Sequence, residues 1–118
     1  MKIIWNDREP IYVQLYQYLA RLIVEQVIDE GEALPSVRDI ASEQRVNPIT
    51  VSRAIQLLVD DNIVEKRRGL GMFVIEGAPA ILKAQLRQNF LSDEWPNIRR
   101  RIDLLGLSVE QLLKDTDL

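Results

Sequence analysis

The stretch "LPSVRDIASEQRVNPITVSRAI", residues 34–55, decides the fold. Two short apolar-periodic runs flank a polar break. Ser36 followed by Asp39 has the form of a capping box with the shorter acid. It predicts a helix over about 37–44 with Val37, Ile40 and Ala41 turned inward. Asn47 is a strong N-cap, and Pro48 suits a first helical position because its missing N–H would be unpaired there anyway. A second helix then runs over about 48–61, burying Val51, Ala54, Ile55, Leu58 and Val59. The three or four residues between the helices force a sharp bend, the geometry of a helix-turn-helix.

Working outward, Pro10 opens a helix in which Ile11, Leu15, Leu19, Leu22, Ile23 and Val27 recur at helical spacing until Gly31. The pattern predicts a helix over about 10–30, with Tyr12, Tyr16 and Tyr18 as packing residues whose hydroxyl tips stay wet. Downstream, "IVEKRR" and "MFVI" are β-prone runs on either side of "GLG", which predicts a hairpin over 63–75 with a glycine-permitted tip. A hairpin directly after the third helix is a wing. The expected fold is therefore mainly α with a small β-hairpin: a winged helix-turn-helix over 9–77, its helix-turn-helix at about 37–56.

The pattern breaks at "GAP", residues 77–79. Beyond it a helix over about 79–91 places Leu82, Leu86 and Phe90 on one stripe. Ser92 is expected to cap another helix over about 93–105, carrying Ile98, Ile102 and Leu105. Gly106 stops it, and "SVEQ" at 108–111 has the form of a capping box for a last short helix. Residues 78–118 are too few to bury their own apolar side chains well. Leu82, Leu86, Phe90, Trp95, Ile98, Ile102 and Leu105, with Leu112 and Leu113, need a partner surface. That surface is either the wing domain itself or, better, a second copy in a two-fold homodimer. Arg99, Arg100 and Arg101 form a basic step on the second tail helix, solvated or paired across the dimer, with direct DNA contact as the lesser alternative.

Composition narrows the function. A hydrophobic fraction of 47% fits a globular chain rather than a disordered one. No apolar run approaches the ~20 residues needed to cross a bilayer, and the N-terminus lacks a signal-peptide core, so a cytoplasmic location is expected with no membrane partner. With no cysteine and no histidine, thiolate sites, disulfides and the commonest general base and metal ligand are excluded. Catalytic residues, metal and cofactor are accordingly expected to be none. The net charge of −3 is unevenly placed: −3 over residues 1–33, +1 over 34–75 and −1 over 76–118. For DNA binding the charge on the docking face matters more than the total.

On the 48–61 helix, Asn47, Ile49, Thr50, Ser52, Arg53 and Gln56 remain wholly or partly exposed. They lie near a helix N-terminus, whose free N–H groups favour phosphate. Arg53 can pair with guanine in a bidentate manner, and Thr50 and Ser52 suit a base edge or a phosphate. Arg38 can reach the backbone where its helix crosses it, and Lys66, Arg67 and Arg68 can reach the minor groove or flanking phosphates from the wing. The competing account of each is plain: a solvated helix face, an arginine paired with Asp39 or Glu43, a solvated basic run.

In order and spacing, "PIYVQ" (10–14), "LPSVRDIA" (34–41), "VNPITVSRAI" (46–55) and "RRGLGMFV" (67–74) resemble the DNA-binding domain of the GntR family of bacterial transcription regulators. The short tail, including "LLGLSVEQLL" (104–113), is most similar to the YtrA-like subfamily, whose tail dimerises and has no large effector domain. The resemblance implies DNA contacts at Arg38, Asn47, Thr50, Ser52 and Arg53, and at Arg68 and Gly69 in the wing, with Ser36 a helix cap near phosphate. It also implies a repressor that binds an inverted-repeat operator as a homodimer, with transporter genes as its targets. Two residues depart from the pattern. Arg45 stands where the family usually has glycine, so a left-handed turn there costs ~1 kcal/mol unless the turn relaxes or a phosphate contact offsets it. Ile49 stands where a polar residue is common, and could meet a thymine methyl. A winged helix used for protein assembly calls for an apolar or acidic face, against which "TVSR" and "EKRR" argue. An aminotransferase-like enzyme domain, as some relatives carry, does not fit in the 41 residues after the wing. No residue cluster marks an effector site.

Overall fold

The computed structural model describes residues 2–114 and divides the chain into two compact units, 1–83 and 84–118. The first contains α1 (Ile11–Val24), α2 (Val37–Gln44), α3 (Pro48–Asp60) and the antiparallel strands β1 (Val64–Arg67) and β2 (Gly71–Val74). Leu15, Leu19 and Ile23 of α1 pack with Ile40 of α2 and with Val51, Ala54, Ile55 and Leu58 of α3. Val64 and Val74, paired across the hairpin, close the same core from the other side. Tyr12, Tyr16 and Tyr18 are half-buried against it.

Helix α1 is shorter than the spacing predicts. It ends at Val24 rather than near residue 30, because Gln26 adopts a left-handed conformation (φ 60°). The Val27 N–H then bonds back to the Leu22 carbonyl (2.8 Å) and the Gln26 N–H to that of Ile23 (3.1 Å), a Schellman ending. This turn leaves Val27 64% exposed and drops Ile28 into the core in its place. Residues 31–34 then run beside β2: Gly31 N–H bonds the Val74 carbonyl, and Leu34 N–H that of Met72, each at 2.8 Å.

The helix-turn-helix follows its predicted chemistry. Ser36 Oγ accepts from the Asp39 N–H (3.0 Å), and Asn47 Oδ1 accepts from the Ile49 N–H (2.8 Å) with Pro48 in the first turn. Between them α2 ends at Arg45 in the left-handed region (φ 55°, ψ 50°), so the turn is not relaxed. The Arg45 and Val46 N–H groups both bond the Ala41 carbonyl. At the end of α3, Asn62 is likewise left-handed (φ 59°) and the Ile63 N–H returns to Leu58.

In the hairpin Val64 faces Val74, Glu65 faces Phe73, Lys66 faces Met72 and Arg67 faces Gly71. Arg68, Gly69 and Leu70 form the tip, closed by a Leu70 N–H to Arg67 carbonyl bond (2.9 Å), with Gly69 at φ 76° where a side chain would be strained.

After the wing, α4 (Ala78–Asn89) passes into a π-helical segment (Phe90–Glu94) and then α5 (Trp95–Leu104). The expected break with a cap at Ser92 is absent. Pro96 has no N–H to return to the Ser92 carbonyl, and the Trp95 N–H instead reaches back five residues to Phe90, so the helix widens by one residue rather than ending. Gly106 (φ 69°) ends α5 with the Leu107 N–H on the Ile102 carbonyl, and Ser108 Oγ accepts from the Gln111 N–H (3.4 Å) at the start of α6 (Val109–Lys114).

Candidate nucleic-acid interface

The exposed edge of α3 begins at its capped N-terminus. Ile49, Ser52, Arg53 and Gln56 are exposed and Thr50 is half-buried, so spacing of three and four sets them on one face opposite the buried Val51, Ala54, Ile55 and Leu58. Asn47 uses its amide oxygen as the cap, which leaves the two amide hydrogens as its donors to a ligand. Ser36 likewise accepts through its oxygen and keeps a hydroxyl hydrogen to donate. Both caps therefore hold their helices without using up their donors. Arg38 is exposed on the first turn of α2.

Arg53 is the cation of this face that packs on an aromatic ring. Its guanidinium carbon lies 4.1 Å from the centroid of the Tyr12 ring, on the first turn of α1. Ile49, 72% exposed, is the large apolar side chain beside it. Further along, Gln56 donates to Asp60 (2.8 Å), and the Tyr16 hydroxyl donates to Asp61 (2.8 Å). Burial first, then that hydrogen bond and the Asp61 charge, push the Tyr16 hydroxyl well above the usual phenol range, so it stays protonated. It ties α1 to the end of α3 and keeps the carboxylate occupied at the far end of the face.

The basic run of the wing is not one patch. Lys66 and Arg67, adjacent in sequence, lie on opposite faces of the ribbon because strand side chains alternate. Arg67 pairs with Glu65 (3.1 Å) and stacks on Phe73 (4.2 Å to the ring centroid). Lys66 and the tip residue Arg68 are exposed, as is Leu70, 70% exposed at the tip. Two features here go beyond what the sequence pattern predicts. Tyr12 was expected only to pack, and its place in "PIYVQ" at the start of α1 was the available signal. Leu70 was read only as part of a glycine tip.

Among the tail residues, Leu82 leaves the expected set. It is buried with Ala78 in the core of the first unit, because the first turns of α4 complete that core. Leu86, Phe90, Ile98 and Leu105 are exposed, Trp95 is half-buried and Ile102 is buried. The Phe90 and Trp95 rings stack, with centroids 6.4 Å apart. Arg99, Arg100 and Arg101 are all exposed, Arg100 donating to Asn97. Among the described residues no helix is long and apolar enough to cross a membrane, and no cluster of acidic side chains could hold a metal ion.

A capped helix pair with a polar outer edge and a β-ribbon beside it defines the winged-helix class of DNA-binding proteins. The family model of the bacterial regulatory proteins of the gntR family matches residues 11–74, more than half of the chain, and the chain belongs to that family. It is 31% identical over 110 residues to the HTH-type transcriptional regulator YhcF of Bacillus subtilis (strain 168), covering 93% of this chain and 89% of YhcF. It is 32% identical over 97 residues to the HTH-type transcriptional repressor YtrA of the same organism, covering 75% of each. A GntR family transcriptional regulator from Listeria monocytogenes shares the fold at a TM-score of 0.73 and 28% identity, with 93% of this chain and 95% of that one covered. The protein is thus a transcriptional regulator with a DNA-binding domain, not an enzyme.

Proposed function

We propose that this protein is a cytoplasmic repressor that binds an inverted-repeat operator as a homodimer. The observation that carries the reading is the exposed, capped edge of α3, where Thr50, Ser52 and the ring-stacked Arg53 stand together beside free helix N–H groups. Arg53 reads a guanine in the major groove, with Thr50, Ser52 and Asn47 on neighbouring base edges or phosphates. Ser36, Arg38, Lys66, Arg68 and the Gly69 backbone hold flanking phosphates, while Arg67 contributes less because Glu65 already offsets its charge. The tail from Leu86 onward joins two copies, which sets two α3 helices against two half-sites. Kinship with YtrA, itself named a transcriptional repressor, supports repression, and transporter genes are the targets that the resemblance to the YtrA-like subfamily implies.

The test is a mobility shift of the purified chain on inverted repeats found upstream of its own gene and of its neighbours. Expected are a shift on one such duplex, resistance to excess random DNA, and a mass in solution of two chains. A monomer that binds every duplex alike would sink the reading.

A further inference from the structure

We propose that Tyr12 is a positioning residue for base recognition, acting through Arg53. The inference rests on the reading of Arg53 as the guanine contact. An arginine on an exposed helix face samples many rotamers, and ordering it on binding opposes affinity. Here the guanidinium is held 4.1 Å from the centre of the Tyr12 ring, on a different helix from its own. With its central carbon over the ring, the guanidinium can still turn its edge N–H groups, the ones that form a bidentate pair, toward an acceptor. Tyr12 is itself fixed, half-buried against the core where α1 packs on α3. A fixed ring on α1 thus sets the direction from which an α3 cation meets the base. In Arg67, by contrast, stacking on Phe73 comes together with the Glu65 carboxylate, so that cation is already engaged. Arg53 has the ring but, among the described residues, no acid paired with it, and stays available to an acceptor.

The test uses the full chain and the duplex it enriches from a randomised pool, with random DNA as competitor. Tyr12→Leu keeps apolar bulk but has no π face, and Tyr12→Phe keeps the face without the hydroxyl. Tyr12→Leu should reduce the ratio of selected to random affinity by about two- to five-fold at unchanged salt slope. Tyr12→Phe should retain it. In an Arg53→Ala background, Tyr12→Leu should change nothing further, which a merely structural role would not predict. Thermal melting confirms that each variant is folded, and Tyr12→Phe serves alone should the leucine variant unfold, since loss of discrimination there would assign the effect to the hydroxyl and overturn the proposal. Equal losses with and without Arg53 overturn it too, leaving the guanine contact intact. No loss on Arg53→Ala itself would remove both.

Discussion

The two units are both rich in leucine, isoleucine and valine, yet they dispose of them in opposite ways. Up to Lys83, the large side chains of α1, α2, α3 and the hairpin interlock in one core. Beyond it, among the described residues, Ile102 is the single buried apolar side chain, while Leu86, Phe90, Leu91, Leu104, Leu105 and Leu113 are exposed. Three helices braced by a ribbon have enough crossing surfaces to enclose one another, whereas a π-interrupted helix with one short follower does not. These exposed side chains are the ones the proposed dimer contact would cover. The first unit encloses its own apolar side chains, and under the proposed reading a second copy covers those of the second.

The comparison breaks first in the core. Leu58 is fully buried on α3, and Leu58→Ala should destabilise the chain by about 2–5 kcal/mol, measured by urea unfolding. A loss below ~1 kcal/mol would show the core to be looser than its burial implies. The tail should respond differently. Phe90→Glu together with Leu105→Glu should leave the fold of the first unit intact by circular dichroism. The same pair should convert a dimer to a monomer by light scattering and weaken operator binding by about 100-fold through lost bivalency. A double variant that remains dimeric would move the interface off this surface.

Smaller effects separate the cations. Arg53→Ala should reduce discrimination between operator and random DNA by about 1–3 kcal/mol. Lys66→Gln should weaken both DNAs alike and lower the slope of log affinity against log salt by about one unit. Interchanged signatures would interchange the two roles. Arg67→Gln should do less than Lys66→Gln at matched salt, because Glu65 is 3.1 Å away.

Local chemistry explains what was legible. Ser36, Asn47, Pro48, Ser108 and the "GLG" tip act within a turn of themselves, and each sits where its residue type predicts. The misses needed information from elsewhere in the chain. Val27 keeps the helical spacing, but the left-handed Gln26 sends Ile28 to the core instead, and glutamine gives no warning of that. Ser92 is a good cap in isolation, yet the effect of Pro96 is absorbed by a π turn. Leu82 shares a stripe with Leu86 and Phe90, but the fold draws only the start of α4 into the first core. The Tyr12–Arg53 stack joins residues forty-one apart in sequence, and no spacing rule within one helix foresees it. Lys66 and Arg67 look like one patch until the strand puts them on opposite faces.

Helix endings carry the last and smallest contrast between the units. α1, α2 and α3 end through left-handed Gln26, Arg45 and Asn62, whereas α5 ends through Gly106. Asparagine tolerates that conformation, but arginine at φ 55° is strained by ~1 kcal/mol, and it sits in the bend before α3. Arg45→Gly removes the strain at the cost of a more flexible unfolded chain, for a net gain of about 0.5 kcal/mol and a rise of about 2–4 °C in Tm. Arg45 is exposed beside the N-terminus of α3, where under the proposed reading its charge would meet the DNA backbone. The same variant should therefore bind random DNA more weakly, with a salt slope lower by about one unit. Stability up and binding down identifies the strain as one retained for a phosphate contact. Both rising would show that the arginine serves neither the fold nor the DNA.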